Sequence, residues 1–232
     1  MPEFTCENAI VLSSKPLGES GFIISVFTPE NGRHLGVLKK KHPPEIGTIC
    51  QVTWKARLPE QLGNFYVEEI KSLAPLLLDD MPRLNILSSL CATLDKALPE
   101  RQSYSDLHTK TLAFLDELND ENFYIAYTRF EVELLSALGF ALDMSQCAGG
   151  GDKNDLAYIS PKTGRAVSQE KGKPYHDKLL KLPRFLWQNE SATTEDLIDG
   201  LALTNHFLLA HLGSLPSARS RILQDLLRRK NG

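Results

Sequence analysis

Cysteine is scarce: Cys6, Cys50, Cys91 and Cys147 are the only four in 232 residues, and no two stand at CxxC spacing. That pattern excludes a disulfide framework and offers no zinc-ligand spacing. No apolar run approaches the roughly 18 residues that a membrane-spanning helix needs. The opening residues, Met-Pro-Glu-Phe-Thr-Cys-Glu, lack the basic and apolar regions of a signal peptide, so a cytoplasmic location is the expectation. Net charge is nearly missing too. The 26 Lys+Arg and 29 Asp+Glu leave −3, too little to coat nucleic acid by bulk charge, although a local basic surface remains open. There is no Gx4GK[ST] loop, no GxGxxG after a strand, no GxSxG and no HExxH, so an enzyme is not expected. At 42% hydrophobic and 24% charged residues, wholesale disorder is excluded. The length suits one large domain or two small ones.

What is present is patterned. Asn8 to Ser13 is a short apolar run, and Phe22 to Thr28 is rich in β-branched and aromatic residues. Pro29-Glu-Asn-Gly32 is a strong turn, after which Arg33 to Lys39 can return as the next strand. Cys50 to Ala56 alternates with period two, as does Phe65 to Ile70, with Phe65, Val67 and Glu69 on one face. Five short strands joined by tight turns favour a closed barrel, which leaves no exposed edges. From about residue 76 the period becomes helical. Leu84, Leu87, Cys91 and Leu94 follow Pro82, Leu107 to Leu118 repeats the spacing, and Phe123 to Leu138 ends at Gly139. Residues 143–175 are poor in apolar side chains, and Pro161-Lys-Thr-Gly164 within them is a hairpin signal. Thr193-Thr-Glu-Asp196 resembles a capping box before another apolar series, and a last amphipathic helix runs from about Pro216 to Lys230. The expected architecture is α+β. A five-stranded β-barrel occupies 1–75, and a mainly helical domain follows over 76–232, with a small irregular insert at 143–175.

Charge is unevenly spread: residues 76–146 are strongly acidic and 147–232 net basic. Lys39-Lys40-Lys41-His42 follows the third expected strand, Arg33 and His34 open it, and Lys55 and Arg57 lie on or after the fourth. On a barrel these can converge and track a phosphate backbone; a solvated strand end is the plainer alternative. Trp54, Phe65 and Tyr66 are stacking platforms for bases or ordinary core residues, and alternation sends Phe65 and Tyr66 to opposite faces. Arg129 is the one cation in an apolar and acidic helix. Either it pairs with Glu133 or it captures an anionic peptide or phosphate. Lys162 to Arg184 and Arg219 to Lys230 hold two further basic regions, the last partly explained by the helix dipole. His206 and His211 are five apart on a helix, too splayed to share a metal, and Gly149-Gly150-Gly151 lies on a loop.

Several stretches resemble a known family. Ala9 to Gly21 is similar to the first strand and loop of the bacterial recombination-mediator family RecO, and Val26 to Lys39 to its next hairpin, where a Gly-Arg pair leads into a strand ending in basic residues. Arg129-Phe-Glu-Val-Glu-Leu-Leu-Ser-Ala-Leu-Gly-Phe140 resembles that family's Arg-Phe-Glu helix. Cys147-Ala-Gly-Gly-Gly, Tyr158-Ile-Ser-Pro and Gly164-Arg-Ala-Val resemble the Cys-led insert that follows. The likeness covers about residues 8–225.

The resemblance implies an oligonucleotide/oligosaccharide-binding (OB) barrel followed by the RecO helical domain. It implies binding of single- and double-stranded DNA, annealing of complementary strands, and contact with the C-terminal tail of single-stranded-DNA-binding protein (SSB). With RecR, it implies help in loading RecA onto SSB-coated DNA, with nucleoid association during repair and no cofactor. The DNA contacts expected are Arg33, His34, Lys39, Lys40, Lys41, Lys55 and Arg57. For the acidic, apolar-ended tail they are Arg129 and Phe130. Two features depart from the pattern. Only Cys147 remains of the four cysteines that hold zinc in some members, and His42 to Gly47 lacks a longer basic stretch. A protein adaptor with little DNA binding is therefore the second expectation; a hydrolase or transferase built on the acidic helices is the third, disfavoured by the missing motifs.

Overall fold

A computed structural model describes residues 1–19 and 21–231. The chain forms two compact units, Met1–Leu112 and Ala113–Gly232. In the first, β1 (Glu3–Leu17), β2 (Gly21–Thr28), β3 (Gly32–Leu38), β4 (Ile49–Lys55) and β5 (Asn64–Lys71) close a barrel in the order β1-β2-β3-β5-β4. Only β3 and β5 pair in parallel. This is the five-stranded OB-type barrel expected, but β1 is much longer than its apolar run. Its first half pairs with β4 and its second with β2, and register shifts at Cys6/Ala9 and Val11/Ser13 bend it between them. Those irregularities interrupt the alternation, which hid the ends of the strand.

Alternate residues fill the barrel: Val11, Ile24, Val26, Leu38, Val52, Trp54, Phe65 and Val67 are all buried. Glu69, expected on the same face as Phe65 and Val67, is exposed. Gly36 has a steric reason: a Cβ there would lie 2.4 Å from the Phe65 ring. Gly32 has another, because it combines φ +60° with a position where a Cβ would fall 1.7 Å from the Gln102 carbonyl oxygen. Following the barrel, α1 (Met81–Ala97) is capped by Asp80, which accepts from the Arg83 N–H, and has Pro82 in its first turn. It packs against β1. The next helix is α2 (Ser105–Glu117).

In the second unit α3 (Phe123–Ala137) is followed by Gly139 at φ +88°, the left-handed stop expected there. The insert is more regular than its composition suggests. The predicted hairpin forms from β6 (Leu156–Ile159) and β7 (Ala166–Ser168), and β8 (Leu180–Lys181) adds a third strand beyond residue 175. A two-residue strand carries no periodic signal in the sequence. Leu142, Cys147, Leu156, Ile159, Ala166 and Leu182 of this small sheet and its flanks share one core with Leu203. After the one-turn α4 (Gln169–Gly172), α5 (Thr194–Leu212) begins at a complete Thr193–Asp196 capping box and ends at Gly213 in the left-handed region. The last helix is α6 (Ser217–Asn231). Arg219 on α6 is buried with Glu131 on α3. Its Nε and Nη2 each donate to the carboxylate at 2.8 Å, and the Thr204 hydroxyl completes the shell at 2.5 Å. No described helix is long and apolar enough to cross a membrane.

Candidate nucleic-acid interface

The seven predicted DNA contacts separate into two groups. Arg33 belongs to the interior scaffold. Its Nε donates to the Leu98 carbonyl at 2.8 Å, its guanidinium stands 3.6 Å from Asp95, and its own carbonyl accepts from the Arg101 N–H at 2.8 Å. With Gly32 it latches β3 to the segment after α1, so the guanidinium expected to meet a phosphate is engaged as a structural fastening.

His34 is not placed to meet a phosphate either. It is 4% exposed and packs edge-on against Trp54, with ring centroids 4.6 Å apart, close to Phe4 and Phe65. Burial, and then the Arg101 charge, push its pKa down to about 4. A neutral, enclosed imidazole does not neutralise a phosphate. Lys55 is bound to Glu3 at 2.8 Å, a contact that raises its pKa, so its charge is locally offset.

Lys39, Lys40, Lys41 and Arg57 are exposed. The three lysines line an open groove of about 580 Å³ with Pro16, Gly18, Glu19, Gly21 and Phe22 of the β1–β2 connection. Lys40 Nζ donates to the Val67 carbonyl at 2.8 Å, which ties the lysine run to β5. Tyr66, the neighbour of Val67, is 64% exposed, whereas Trp54 and Phe65 are each 3% exposed. Strand alternation thus leaves Tyr66 as the available aromatic platform. The groove brings together a cationic run and a half-buried Phe22, and Tyr66 is exposed elsewhere on β5, ingredients for holding a strand through phosphates and base faces.

The other cations are mostly engaged. Arg219 is buried, Lys181 binds Asp199 at 2.9 Å, Arg229 binds Asp225 at 3.1 Å, and Lys230 stands 3.5 Å from Glu195. Arg129 Nε donates to the Phe185 carbonyl at 2.9 Å and its Nη2 to the Gln188 carbonyl at 3.2 Å. Phe130 is 5% exposed and packs on Phe114, ring centroids 5.4 Å apart. It is a core residue, and a peptide on the surface does not reach it; its place in the helical period was the signal that should have assigned it inward.

Cys147 is held by hydrogen-bond donors. Burial alone would raise its pKa, but the Ser168 hydroxyl and the N–H groups of Ser168, Gly151 and Gly149 outweigh this and bring it to about 7. His206 lies 3.3 Å from the Pro161 carbonyl and His211 against Phe140. Among the described residues no three His, Cys, Asp or Glu side chains gather as a metal site would require.

Residues 1–72 match the family model "Recombination protein O N terminal", and residues 78–221 match "Recombination protein O C terminal". A protein of Rhodospirillum centenum named DNA repair protein RecO is 43% identical over 230 residues, spanning 94% of this chain and 92% of its own. Proteins of the same name from Jannaschia sp. and Rhodospirillum rubrum are 41% and 39% identical, with at least 95% of each chain covered.

Proposed function

The chain belongs to the RecO family of DNA repair proteins, and from that premise we propose that it is a recombination mediator that holds DNA strands without transforming them chemically. The observation that carries this reading is the exposed run Lys39-Lys40-Lys41 beside the β1–β2 connection. Each phosphate neutralised there releases condensed counterions, which favours binding and makes it salt-sensitive. Tyr66 offers a face to an unpaired base. Two complementary strands held on one molecule have their mutual repulsion screened and their effective concentration raised, so annealing needs no covalent step.

The finer roles belong to the same proposal. Single- and double-stranded DNA are the ligands, and RecR is the partner with which RecA is loaded onto SSB-coated strands. The acidic SSB tail is taken near Arg129, whose Nη1 is left over after its two carbonyl contacts. An apolar tail residue then needs a surface other than Phe130.

The first prediction tests the carrying observation. Lys39→Glu/Lys40→Glu/Lys41→Glu changes three exposed side chains at the cost of the Lys40–Val67 hydrogen bond; with an unchanged circular dichroism spectrum as the folding control, affinity for a single-stranded oligonucleotide, measured by fluorescence anisotropy, should fall at least tenfold. Unchanged affinity and unchanged salt dependence would remove the groove from the DNA interface. One observation favours the adaptor alternative: Arg33, His34 and Lys55 are taken up within the first unit. Gel mobility shifts with and without RecR separate the two. An adaptor leaves DNA unshifted when alone.

A further inference from the structure

At the end of the barrel marked by the β2–β3 turn, a pocket of about 280 Å³ opens among Pro2, Glu3, Phe4, Glu30, Asn31, His34, Trp54, Pro59 and Arg101, all within the first unit. Its walls are aromatic. Phe4 stacks on Trp54 with ring centroids 5.7 Å apart and planes 21° from parallel, and His34 meets Trp54 nearly edge-on. Arg101 closes one side. Its guanidinium lies 5.7 Å from the centre of the Trp54 ring and donates to the carbonyls of Pro59 and Gln61. Arg101 itself sits at φ +62°, the only non-glycine described residue in that region, so the chain accepts backbone strain to place it there.

The distinctive feature is His34. Both of its ring nitrogens are buried and neither has a hydrogen-bond partner among the described residues. A buried polar group without a partner costs on the order of a hydrogen bond, and native interiors rarely leave one so.

We propose that this pocket receives a single unpaired nucleobase whose exocyclic amine lies on its major-groove edge, cytosine or adenine, where guanine instead carries a carbonyl. The inference rests on the reading of the chain as a DNA binder and names a site within it separate from the lysine groove. Size favours one ring system, since pockets for larger ligands begin at about 300 Å³. Charge favours a base edge over a phosphate. Glu3 and Glu30 line the pocket, Glu30 makes no ion pair among the described residues, and the Arg101 guanidinium is committed to backbone carbonyls. A carboxylate accepts from an exocyclic amine but repels the carbonyl edge of thymine, while Asn31 supplies both donor and acceptor. His34 stays neutral at physiological pH and so presents one donor and one acceptor to complete the set.

Nitrogen-15 spectra of the imidazole groups in the full-length protein test this with deoxycytidine, deoxyadenosine and thymidine, which carry no phosphate. Deoxycytidine or deoxyadenosine should move the His34 resonances at concentrations about fivefold or more below those thymidine requires. Glu30→Gln, a change at an exposed side chain, should shrink that preference, because an amide also donates. The response should persist in Lys39→Glu/Lys40→Glu/Lys41→Glu. A silent His34 with every nucleoside, or an equal response to thymidine, overturns the pocket. A selective response in a protein that binds no oligonucleotide sustains the pocket and overturns the DNA-strand reading instead.

Discussion

Enclosed by Phe4, Trp54 and Phe65, the His34 imidazole has its pKa held at about 4, first by burial and then by Arg101. In the unfolded chain it titrates near 6.5. Between those values the unfolded state binds a proton that the folded state does not, so stability falls as pH drops through that window and levels off below about 4. A displacement from near 6.5 to about 4 corresponds to about 3 kcal/mol at full extent. His34→Phe keeps an aromatic ring in the cluster and removes the titration. In urea unfolding it should lie within about 1 kcal/mol of the parent at pH 7 and gain about 2 kcal/mol on it at pH 4.5. Parallel pH profiles for the two proteins would show that the imidazole is not the group responsible. The same side chain shows where reading residues one at a time stops. Arg33 and His34 have the right chemistry for a phosphate, but the Leu98, Asp95 and Arg101 partners that take them from that role lie more than 60 positions along the chain. Lys39 to Lys41 were legible because a lysine run after a strand needs no distant partner to remain outside.

Among the elements, β3 shows most directly how a strand is fitted to its neighbours. Its inner face runs His34, Gly36, Leu38, and the parallel partner β5 lays Phe65 over the glycine. A methyl group at Gly36 would sit 2.4 Å from that ring and 3.2 Å from Trp54. Gly36→Ala should therefore cost about 1–3 kcal/mol by overpacking, read as a lower urea midpoint with an unchanged slope. Adding Phe65→Leu should recover part of the loss, whereas two independent losses that simply add would mean the ring is not what the methyl group meets. Elements with a sustained period were legible: α1, α3, α5, and the hairpin whose turn is Pro161 to Gly164. The true length of β1 was not, since its bulges shift the alternation midway. Nor was β8, which exists only because β6 offers an edge to pair with. Tyr66 lay in between: alternation placed it opposite Phe65, but only barrel closure decided which face was the interior.

For the whole molecule, the charge asymmetry that stands out along the sequence is partly offset by pairing. The basic C-terminal third meets acids at Lys181–Asp199, Arg165–Asp143, Arg229–Asp225 and Lys230–Glu195, and buries Arg219 on Glu131. Most of these are exposed pairs that contribute little stability, roughly 0–1 kcal/mol each, but they lower the local potential a polyanion would encounter. Of the predicted contacts, Lys39, Lys40, Lys41 and Arg57 remain as exposed cations without an acidic partner among the described residues. A linear strand binding only there exchanges at most four phosphate contacts. The logarithm of its affinity should then fall with the logarithm of salt concentration at a slope of about −3, taking roughly 0.7 per phosphate for single strands. Anisotropy titrations on an oligonucleotide across 50 to 300 mM salt would measure it. A slope beyond about −5 would require cations of the C-terminal third, such as the exposed Lys162, Lys173 and Lys178, to join the interface. A slope near −3 that flattens towards −1 in Lys39→Glu/Lys40→Glu/Lys41→Glu would confine the phosphate contacts to the barrel. For the annealing role proposed above, that modest dependence would suit letting strands go once they have paired, because few contacts released together favour turnover over retention.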